Sequence, residues 1–215
     1  MMQLYYSNTA NARKVCTVAR YLDAPLRYVR LDLGAGEQRT PEFLALNPNG
    51  KVPLLVDGEL RLWESTAIAC HLSERAGTDL WPRDGRQIEA LRWLFWDAHH
   101  FGRHGGRLYF EHVIKAANGK DPDPDEVADA KHWFQRFAGV LDAHLRDRDY
   151  VLGDRLSVPD FILSGYLPFA QQAQLPLDGL EGIARWQQRL EKIDAWRDPY
   201  PAEPAAFART EAVAA

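Results

Sequence analysis

Apolar residues in the first 77 positions have the spacing of strands in some segments and of helices in others. The order of these segments is compatible with few folds. Residues 4–6 are a short apolar run typical of a strand, and the apolar residues from 15 to 22 recur with the spacing of a helix. Residues 28–33 alternate as the residues of a second strand do. Because a helix joins these two strands, we predict that they form a right-handed parallel crossover.

A hairpin and a further helix complete this pattern. Residues 54–56 and 60–63 are apolar runs on either side of Asp57-Gly58, a dipeptide typical of a tight hairpin turn. A short helix around residues 41–46 precedes them, and a longer helix follows from Ser65. This order of strands and helices is that of a thioredoxin-like layer, which we predict for residues 1–78.

The remainder of the chain has helical patterns throughout. Proline and glycine interrupt residues 79–86, which we predict to be a linker. Apolar stripes with helical spacing fill residues 87–200, and Ser157 and Asp160 have the spacing of a capping box at a helix start. We expect residues 201–215 to be a mobile tail. The predicted fold class is therefore α/β plus all-α, a thioredoxin-like N-terminal domain with an all-helical C-terminal domain.

Charge and cysteine content restrict the partners and the compartment. The 215 residues include 26 Lys and Arg against 30 Asp and Glu, a formal net charge of -4, without a basic block. These counts argue against nucleic acid and anionic membranes as partners. The start of the chain indicates neither a signal peptide nor a membrane span. Cys16 and Cys70 lie in apolar helical patterns, which favours reduced, structural thiols and a cytoplasmic protein.

Four short polar residues, Ser7, Asn8, Thr9 and Asn11, follow the first predicted strand where the first helix begins. Their hydroxyl and amide groups, beside the free N–H groups of a helix start, suit an anion. Any one of them can equally be a helix cap. The cluster contains no cysteine, histidine or carboxylate, so it offers hydrogen-bond donors and leaves open which group supplies the reactive atom.

Val52-Pro53 opens the predicted hairpin at a position where proline cannot donate to the sheet. A cis peptide bond there would turn the backbone of Val52 outward, where it could pair with an extended peptide. Lys51 before it, and Gln38 earlier in the chain, could hold a carboxylate at one end of such a peptide.

Glu64-Ser65 stands where the hairpin meets the next helix. We expect Ser65 to cap that helix, whose N–H groups suit a carboxylate. Glu64 beside it offers a partner for an ammonium group. A small peptide with an amine and a carboxylate at one end would be satisfied at this position.

The stretch NPNGKVPLLVDGELRLWES resembles the glutathione site of the glutathione transferase family, and LSVPDF is similar to the capping motif of that family's C-terminal domain. The resemblance implies that glutathione is the co-substrate and that no metal is needed. It places the γ-glutamyl end at Glu64 and Ser65 and the cysteinyl backbone along Val52-Pro53. It places the glycyl carboxylate near Gln38 and Lys51. The reactive sulfur then belongs to the ligand, and the protein stabilises its thiolate.

The donor to that thiolate separates the classes of the family. The sequence lacks the cysteine that beta-class enzymes have in this loop. Tyrosine-type enzymes of the family would need a tyrosine at the end of the first strand, but strand alternation makes at least one of Tyr5 and Tyr6 a core residue. SNTANARKV is most similar to the T-x-N-x-x-K pattern of the nu class, which implies Thr9 and Asn11 as donors, with Ser7 behind them. The resemblance implies reduction of small disulfides by thiol–disulfide exchange. The alternatives are conjugation of small electrophiles in detoxification with Ser7 as the main donor, as in theta-like enzymes, and a non-catalytic glutathione- or ligand-binding regulator.

The resemblance also implies a role for the first helix of the second domain. In the family this helix borders the second-substrate pocket and the cleft of a homodimer, so Asp97, His100, Phe101 and Arg103 are candidates for either surface. His100 and His104 have a spacing that zinc sites use, but no Glu stands between them in an H-E-x-x-H frame. We therefore predict no metal site.

Overall fold

The structure is a computed structural model of the chain, and it describes residues 1–207. The chain divides into two units. The first contains Met1–Gly77 together with the segment that begins at Asp198, and the second is Thr78–Arg197.

The first unit is built on a five-stranded sheet with the order β4-β3-β1-β2-β5. β1 and β2 are parallel, which confirms the predicted crossover, whereas β3 is antiparallel to both β1 and β4. The strands are β1 Met2–Tyr6, β2 Leu26–Arg30, β3 Leu54–Asp57, β4 Leu60–Trp63 and β5 Ala205–Ala206. The helices of this unit are α1 Ala10–Tyr21, α2 Pro41–Leu46 and α3 Ser65–Ala76.

β2 begins and ends earlier than the alternation of residues 28–33 predicts. The early end follows from Asp32, whose Oδ1 accepts from the N–H groups of Gly34 and Ala35 at 2.9 and 3.0 Å. This side chain closes a turn, as aspartate commonly does, and the turn bends the chain away from the sheet. Leu33 is apolar but lies beyond the strand.

β1 separates the two faces of the sheet. Leu4 and Tyr6 point to one face and are almost fully buried, while Tyr5 points to the other and packs edge to face on Phe43 of α2 at 6.1 Å between ring centroids. This alternation places the C-terminal end of β1 directly before the polar residues that start α1.

The fifth strand comes from residues that the sequence pattern assigns to a tail. Ala205 and Ala206 pair in parallel with Val29 and Arg30 of β2, and Phe207 packs on Tyr5. The chain therefore leaves the helical unit near residue 198 and returns to the sheet, so the predicted domain end at 200 and tail from 201 differ from the structure. Residues 208–215 of the predicted tail lie outside the described residues.

The second unit is helical, as predicted. Its α-helices are α4 Arg86–His99, α5 Phe101–Tyr109, α6 Lys115–Ala117, α7 Pro124–Leu145, α8 Val158–Leu163, α9 Glu181–Leu190 and α10 Asp194–Arg197. A π-helical turn, Phe110–Ile114, joins α5 to α6, and a 3₁₀ segment, Ser164–Phe169, follows α8. In residues 1–207, no helix has the length and apolar content needed to cross a membrane.

The predicted capping box is present at the start of α8. The carboxylate of Asp160 accepts from the N–H and hydroxyl of Ser157 at 2.9 and 2.7 Å, and also from Val151 N–H and Trp186 Nε1–H. All four donors converge on one fully buried carboxylate, so this helix start ties three segments of the unit together.

Candidate functional site

A small open pocket in the first unit collects six of the residues that the sequence singles out: Asn11, Lys51, Val52, Pro53, Glu64 and Ser65. It has a volume of about 160 Å³ and lies where α1, the loop before β3, and the start of α3 meet. Its lining residues are Asn11, Asn47, Asn49, Lys51, Val52, Pro53, Trp63, Glu64 and Ser65. Asn47, Asn49 and Trp63 were not among the residues chosen from the sequence.

The start of α3 forms one end of the pocket. Glu64 is the N-cap, with φ 72° and ψ 114°, and Ser65 is the first helical residue. The expectation that Ser65 caps the helix is therefore wrong, because the chain turns sharply one residue earlier. Positive φ in a residue other than glycine costs on the order of 1–3 kcal/mol and tends to occur at functional sites. Ser65 is half-buried in the first turn of α3 and lines the pocket.

The loop before β3 forms the middle of the pocket. The Val52-Pro53 peptide bond is cis. Asn47 is fully buried and holds the loop, because its Nδ2 donates to the Lys51 carbonyl at 2.7 Å and its Oδ1 accepts from Asn49 N–H at 3.1 Å. The pattern N-P-N-G is a turn signal from which this role could have been anticipated.

The polar cluster after β1 contributes one residue to the pocket lining. Asn11 is exposed in the first turn of α1. Thr9 is the N-cap of that helix, and its Oγ1 accepts from Ala12 N–H at 3.3 Å. Ser7 is half-buried, and neither Ser7 nor Thr9 lines the pocket. Of the three expected thiolate donors, the structure therefore brings Asn11 to the other predicted residues.

The two residues expected to hold the glycyl carboxylate, Lys51 and Gln38, lie in different places. Lys51 is exposed and lines the pocket. Gln38 lies in a short 3₁₀ turn, Glu37–Arg39, where its Nε2 is 3.5 Å from the carbonyl oxygen of Leu33. Gln38 is not brought into this pocket.

Neither tyrosine of β1 and neither cysteine is placed for chemistry here. Tyr6 is a core residue, and burial raises the pKa of its hydroxyl. Tyr5 donates to Gln3 Oε1 at 2.9 Å. Burial raises the pKa of Cys70 to about 12 and that of the Cys16 thiol further still. Burial therefore disfavours the thiolate form of both cysteines, and neither of them lines the pocket.

The four candidates in the second unit differ in exposure. Phe101 is 2% exposed and stacks between Trp96 and Phe134, and Asp97 is 3% exposed, so their place in a second-substrate pocket or a dimer cleft stays a prediction. His100 is half-buried, and Arg103 lines an open cavity of about 520 Å³ between α5 and the start of α7.

Gly102 explains why the Asp97 carboxylate turns inward. A Cβ at Gly102 would lie 2.6 Å from both oxygens of that carboxylate, so glycine is needed for the contact. His104, half-buried on α5, stacks on Phe137 and Trp133, and burial lowers its pKa, as does Arg103 beside it. No group of three His, Cys, Asp or Glu side chains within residues 1–207 is arranged to hold a metal ion.

Two family models match the chain. The model described as Glutathione S-transferase, N-terminal domain, matches residues 2–74, and the one described as Glutathione S-transferase, C-terminal domain, matches residues 130–202. The chain belongs to the glutathione S-transferase family. This match covers most of each unit and includes every residue of the pocket.

Similar proteins within the glutathione S-transferase family cover nearly the whole chain. Glutathione S-transferase 3 of Zea mays is 32% identical over 94% of this chain and 89% of its own length. The Escherichia coli disulfide-bond oxidoreductase YfcG is 29% identical over 88% of this chain and 90% of its own length.

Solved structures agree with this assignment to the glutathione S-transferase family. A possible glutathione S-transferase from Rhodopseudomonas palustris superposes with a TM-score of 0.79 at 32% identity, covering 90% of this chain and 95% of its own. A family member from Pseudomonas fluorescens, solved with two glutathione molecules bound, gives 0.79 at 25% identity, covering 92% and 91%.

Proposed function

We propose that this protein binds glutathione in the pocket at the start of α3 and uses the glutathione thiolate to reduce small disulfides or to attack small electrophiles. The observation that carries the proposal is the meeting of Asn11, Val52-Pro53, Glu64 and Ser65 in the lining of one pocket. A protein that kept the fold only as a scaffold would have no need of this combination.

The chemistry of glutathione fits the pocket from end to end. Its γ-glutamyl carboxylate suits the N–H groups and Ser65 hydroxyl at the start of α3, because a helix N-terminus favours an anion. The ammonium beside that carboxylate suits Glu64. The cysteinyl backbone can pair with the Val52 backbone as an added strand would, which leaves the glycyl carboxylate to Lys51 and the Asn49 amide.

Stabilisation of the thiolate is the catalytic task that remains. An ordinary thiol has a pKa of about 8.5 and is only a few per cent ionised at pH 7. Donors at a helix N-terminus favour the anion, and the Asn11 amide in the first turn of α1 is the donor that lines the pocket. Thr9 and Ser7 lie on the same connection and act with it or behind it.

The reduction needs two glutathione molecules for each disulfide. The first thiolate attacks one sulfur of the disulfide, forms a mixed disulfide and releases the other half as a thiolate, which takes a proton from solvent. A second glutathione thiolate attacks the mixed disulfide and releases the second half, so the products are two thiols and glutathione disulfide. With an electrophilic carbon, the same thiolate forms a thioether instead, and either a leaving group departs as an anion or, at an activated double bond, the carbanion that forms takes a proton from solvent.

The similarity to YfcG, a protein named as a disulfide-bond oxidoreductase, favours the disulfide reaction. We further propose that the protein is a cytoplasmic homodimer. Two free cysteines, of which Cys16 is buried and Cys70 half-buried, suit a reducing compartment. Ile88 and Phe95, 68% and 63% exposed on α4, suit an apolar contact with a second copy.

The decisive experiment measures the steady-state rate of glutathione-dependent reduction of a small dialkyl disulfide by the purified protein, beside calorimetric titration with glutathione. We expect turnover well above the solution reaction that saturates in glutathione. Binding without turnover would favour conjugation through Ser7 or a role in glutathione binding alone. Absence of glutathione binding would overturn the proposed function. Light scattering on the same sample tests the dimer.

A further inference from the structure

Two of the proposed thiolate donors, Ser7 and Thr9, stand on a short connection, residues 7–9, between β1 and α1, and the third, Asn11, follows it in the first turn of α1. Thr9 N–H donates to the Ser7 carbonyl at 2.7 Å, and Thr9 Oγ1 accepts from Ala12 N–H. These bonds are local. They fix the shape of the connection, but they do not fix its position relative to the sheet.

Tyr200 contacts both ends of this connection. Its ring stacks on Tyr6, the last residue of β1, with centroids 5.7 Å apart and ring planes 17° from parallel. Its hydroxyl donates to the carbonyl oxygen of Thr9 at 3.3 Å. Because Tyr6 is 1% exposed, the stacking partner is itself fixed in the core, and Tyr200 bridges from that core to the N-cap of α1.

The segment that carries Tyr200 is anchored on both sides. Before it, Oδ2 of Asp198 lies 2.8 Å from the guanidinium of Arg20 on α1. After it, Ala205–Ala206 pairs with β2, and Phe207 packs edge to face on Tyr5 and Phe43. Tyr200 therefore has a defined place, although it stands about 190 residues from the connection that it touches.

We infer that Tyr200 is a positioning residue for the thiolate site: it clamps the connection between Tyr6 and Thr9, so that the first turn of α1 presents Asn11 to the sulfur. The inference rests on the function proposed above. It adds to that function a residue outside the pocket, supplied by the segment that forms β5.

The consequence for chemistry follows from the geometry of hydrogen bonds. Donation to a thiolate weakens steeply when the donor moves or tilts, while the remote γ-glutamyl and glycyl contacts are unaffected. Loss of the contacts of Tyr200 with Tyr6 and Thr9 should therefore reduce ionisation of the bound thiol and leave the affinity for glutathione nearly unchanged. A merely structural role would instead affect binding and stability together.

The test compares Tyr200→Phe with Tyr28→Phe. The first removes the hydroxyl and keeps the ring. The second makes the same chemical change on a tyrosine that also contacts Tyr6, at 6.0 Å between centroids, and in the described residues no hydrogen bond joins its hydroxyl to residues 7–11. Three quantities are measured: the pKa of bound glutathione from thiolate absorbance, the affinity for S-methylglutathione, and the amide hydrogen exchange of residues 9–13.

We expect Tyr200→Phe to raise the pKa of the bound thiol by 0.5–1 unit, which lowers the rate near neutral pH about 3- to 10-fold. Exchange at residues 9–13 should be faster, and affinity for S-methylglutathione should stay within about twofold. Tyr28→Phe should match the wild type in all three. Arg20→Gln, which loosens the same segment at Asp198, should shift the thiol pKa in the same direction.

An unchanged thiol pKa and unchanged exchange in Tyr200→Phe would overturn the inference while the proposed function stands. Equal losses of S-methylglutathione affinity and turnover would also overturn it, because they indicate general loosening. A wild-type protein that binds no glutathione would overturn the proposed function and this inference with it.

Discussion

Nδ2 of Asn47 donates to the carbonyl oxygen of Lys51 at 2.7 Å, and this bond closes the loop that presents Val52 and Pro53 to the pocket. Asn47 is fully buried while Lys51 is exposed, so one side chain ties a surface loop to the core. The shape of the loop that is proposed to pair with the glutathione backbone therefore depends on Asn47, which lies beneath it.

Asn47→Ala should lower both stability and affinity. It leaves the Lys51 carbonyl and the Asn49 N–H without their partner, which costs about 1–3 kcal/mol of unfolding free energy. Glutathione affinity should fall about tenfold, equal to about 1.4 kcal/mol. Urea unfolding and calorimetric titration measure the two effects. Asn118→Ala, which loses a similar bond to the Ile114 carbonyl on an exposed turn, should leave affinity unchanged.

Ser65→Ala should weaken glutathione binding by about 1–3 kcal/mol, because it removes a hydrogen bond to a charged carboxylate. Ser73→Ala on the same helix is the matched control. The Ser73 hydroxyl donates to the Ala69 carbonyl inside the core, so this variant should change stability and not affinity. An unaltered dissociation constant in Ser65→Ala would show that the γ-glutamyl end lies elsewhere.

Asn11→Ala should raise the pKa of bound glutathione while binding persists. The amide is exposed in the pocket and makes no contribution to the core, so stability should change by less than about 0.5 kcal/mol. Absorbance titration of the bound thiolate is the measurement. Should the pKa stay at the wild-type value, Ser7→Ala and Thr9→Ala decide which hydroxyl has the role.

Glu64→Gly should stabilise the protein and weaken glutathione binding at once. Glycine adopts the positive φ of this N-cap freely, so relief of strain should add about 1 kcal/mol to the unfolding free energy. The variant also loses the carboxylate proposed to hold the ammonium. Glu64→Gln keeps the strain and removes only the charge. It should weaken binding without any gain in stability, and a gain there would refute the strain argument.

Acidification should destabilise the protein in the range where histidine ordinarily titrates. Burial is the main cause that lowers the pKa of His104, His112 and His144 in the folded protein. The unfolded chain takes up these protons near pH 6.5, and the folded protein only at lower pH. The unfolded state therefore binds more protons just below pH 6.5, and the unfolding free energy falls as the pH is lowered through that range.

Unfolding curves between pH 7.5 and 5.5 measure this slope, and His144→Gln should reduce it. Glutamine can still donate to the Val151 carbonyl, which accepts from His144 Nε2 at 2.8 Å, but it does not titrate. A slope that is equal in the variant and in the wild type would contradict the assignment.

Most of the sheet and of the pocket could be predicted because their signals are local. The hairpin turn at Asp57-Gly58 and the helical spacing after Thr9 depend on neighbours in sequence, and the structure has both elements where they were expected. Val52-Pro53 and Glu64 were found for the same reason, since they stand at the ends of recognisable strands.

The rest depends on contacts that no local pattern reveals. Nothing near Ser65 shows that the chain turns one residue earlier at Glu64, because both residues suit a helix start. Burial of Asp97 follows from the missing Cβ of Gly102, a packing relationship across the end of α4. The two alanines of β5 are too few to show a period, so their pairing with β2 could not be read from the sequence.

That pairing has a consequence for synthesis of the chain. The first four strands are complete once residue 63 has been made, but the ribosome has to reach residue 206 before the sheet gains its fifth. Until then the free side of β2 presents unpaired backbone groups, which are a template for pairing with other chains. The nascent protein thus carries an open sheet edge throughout the synthesis of its entire helical unit.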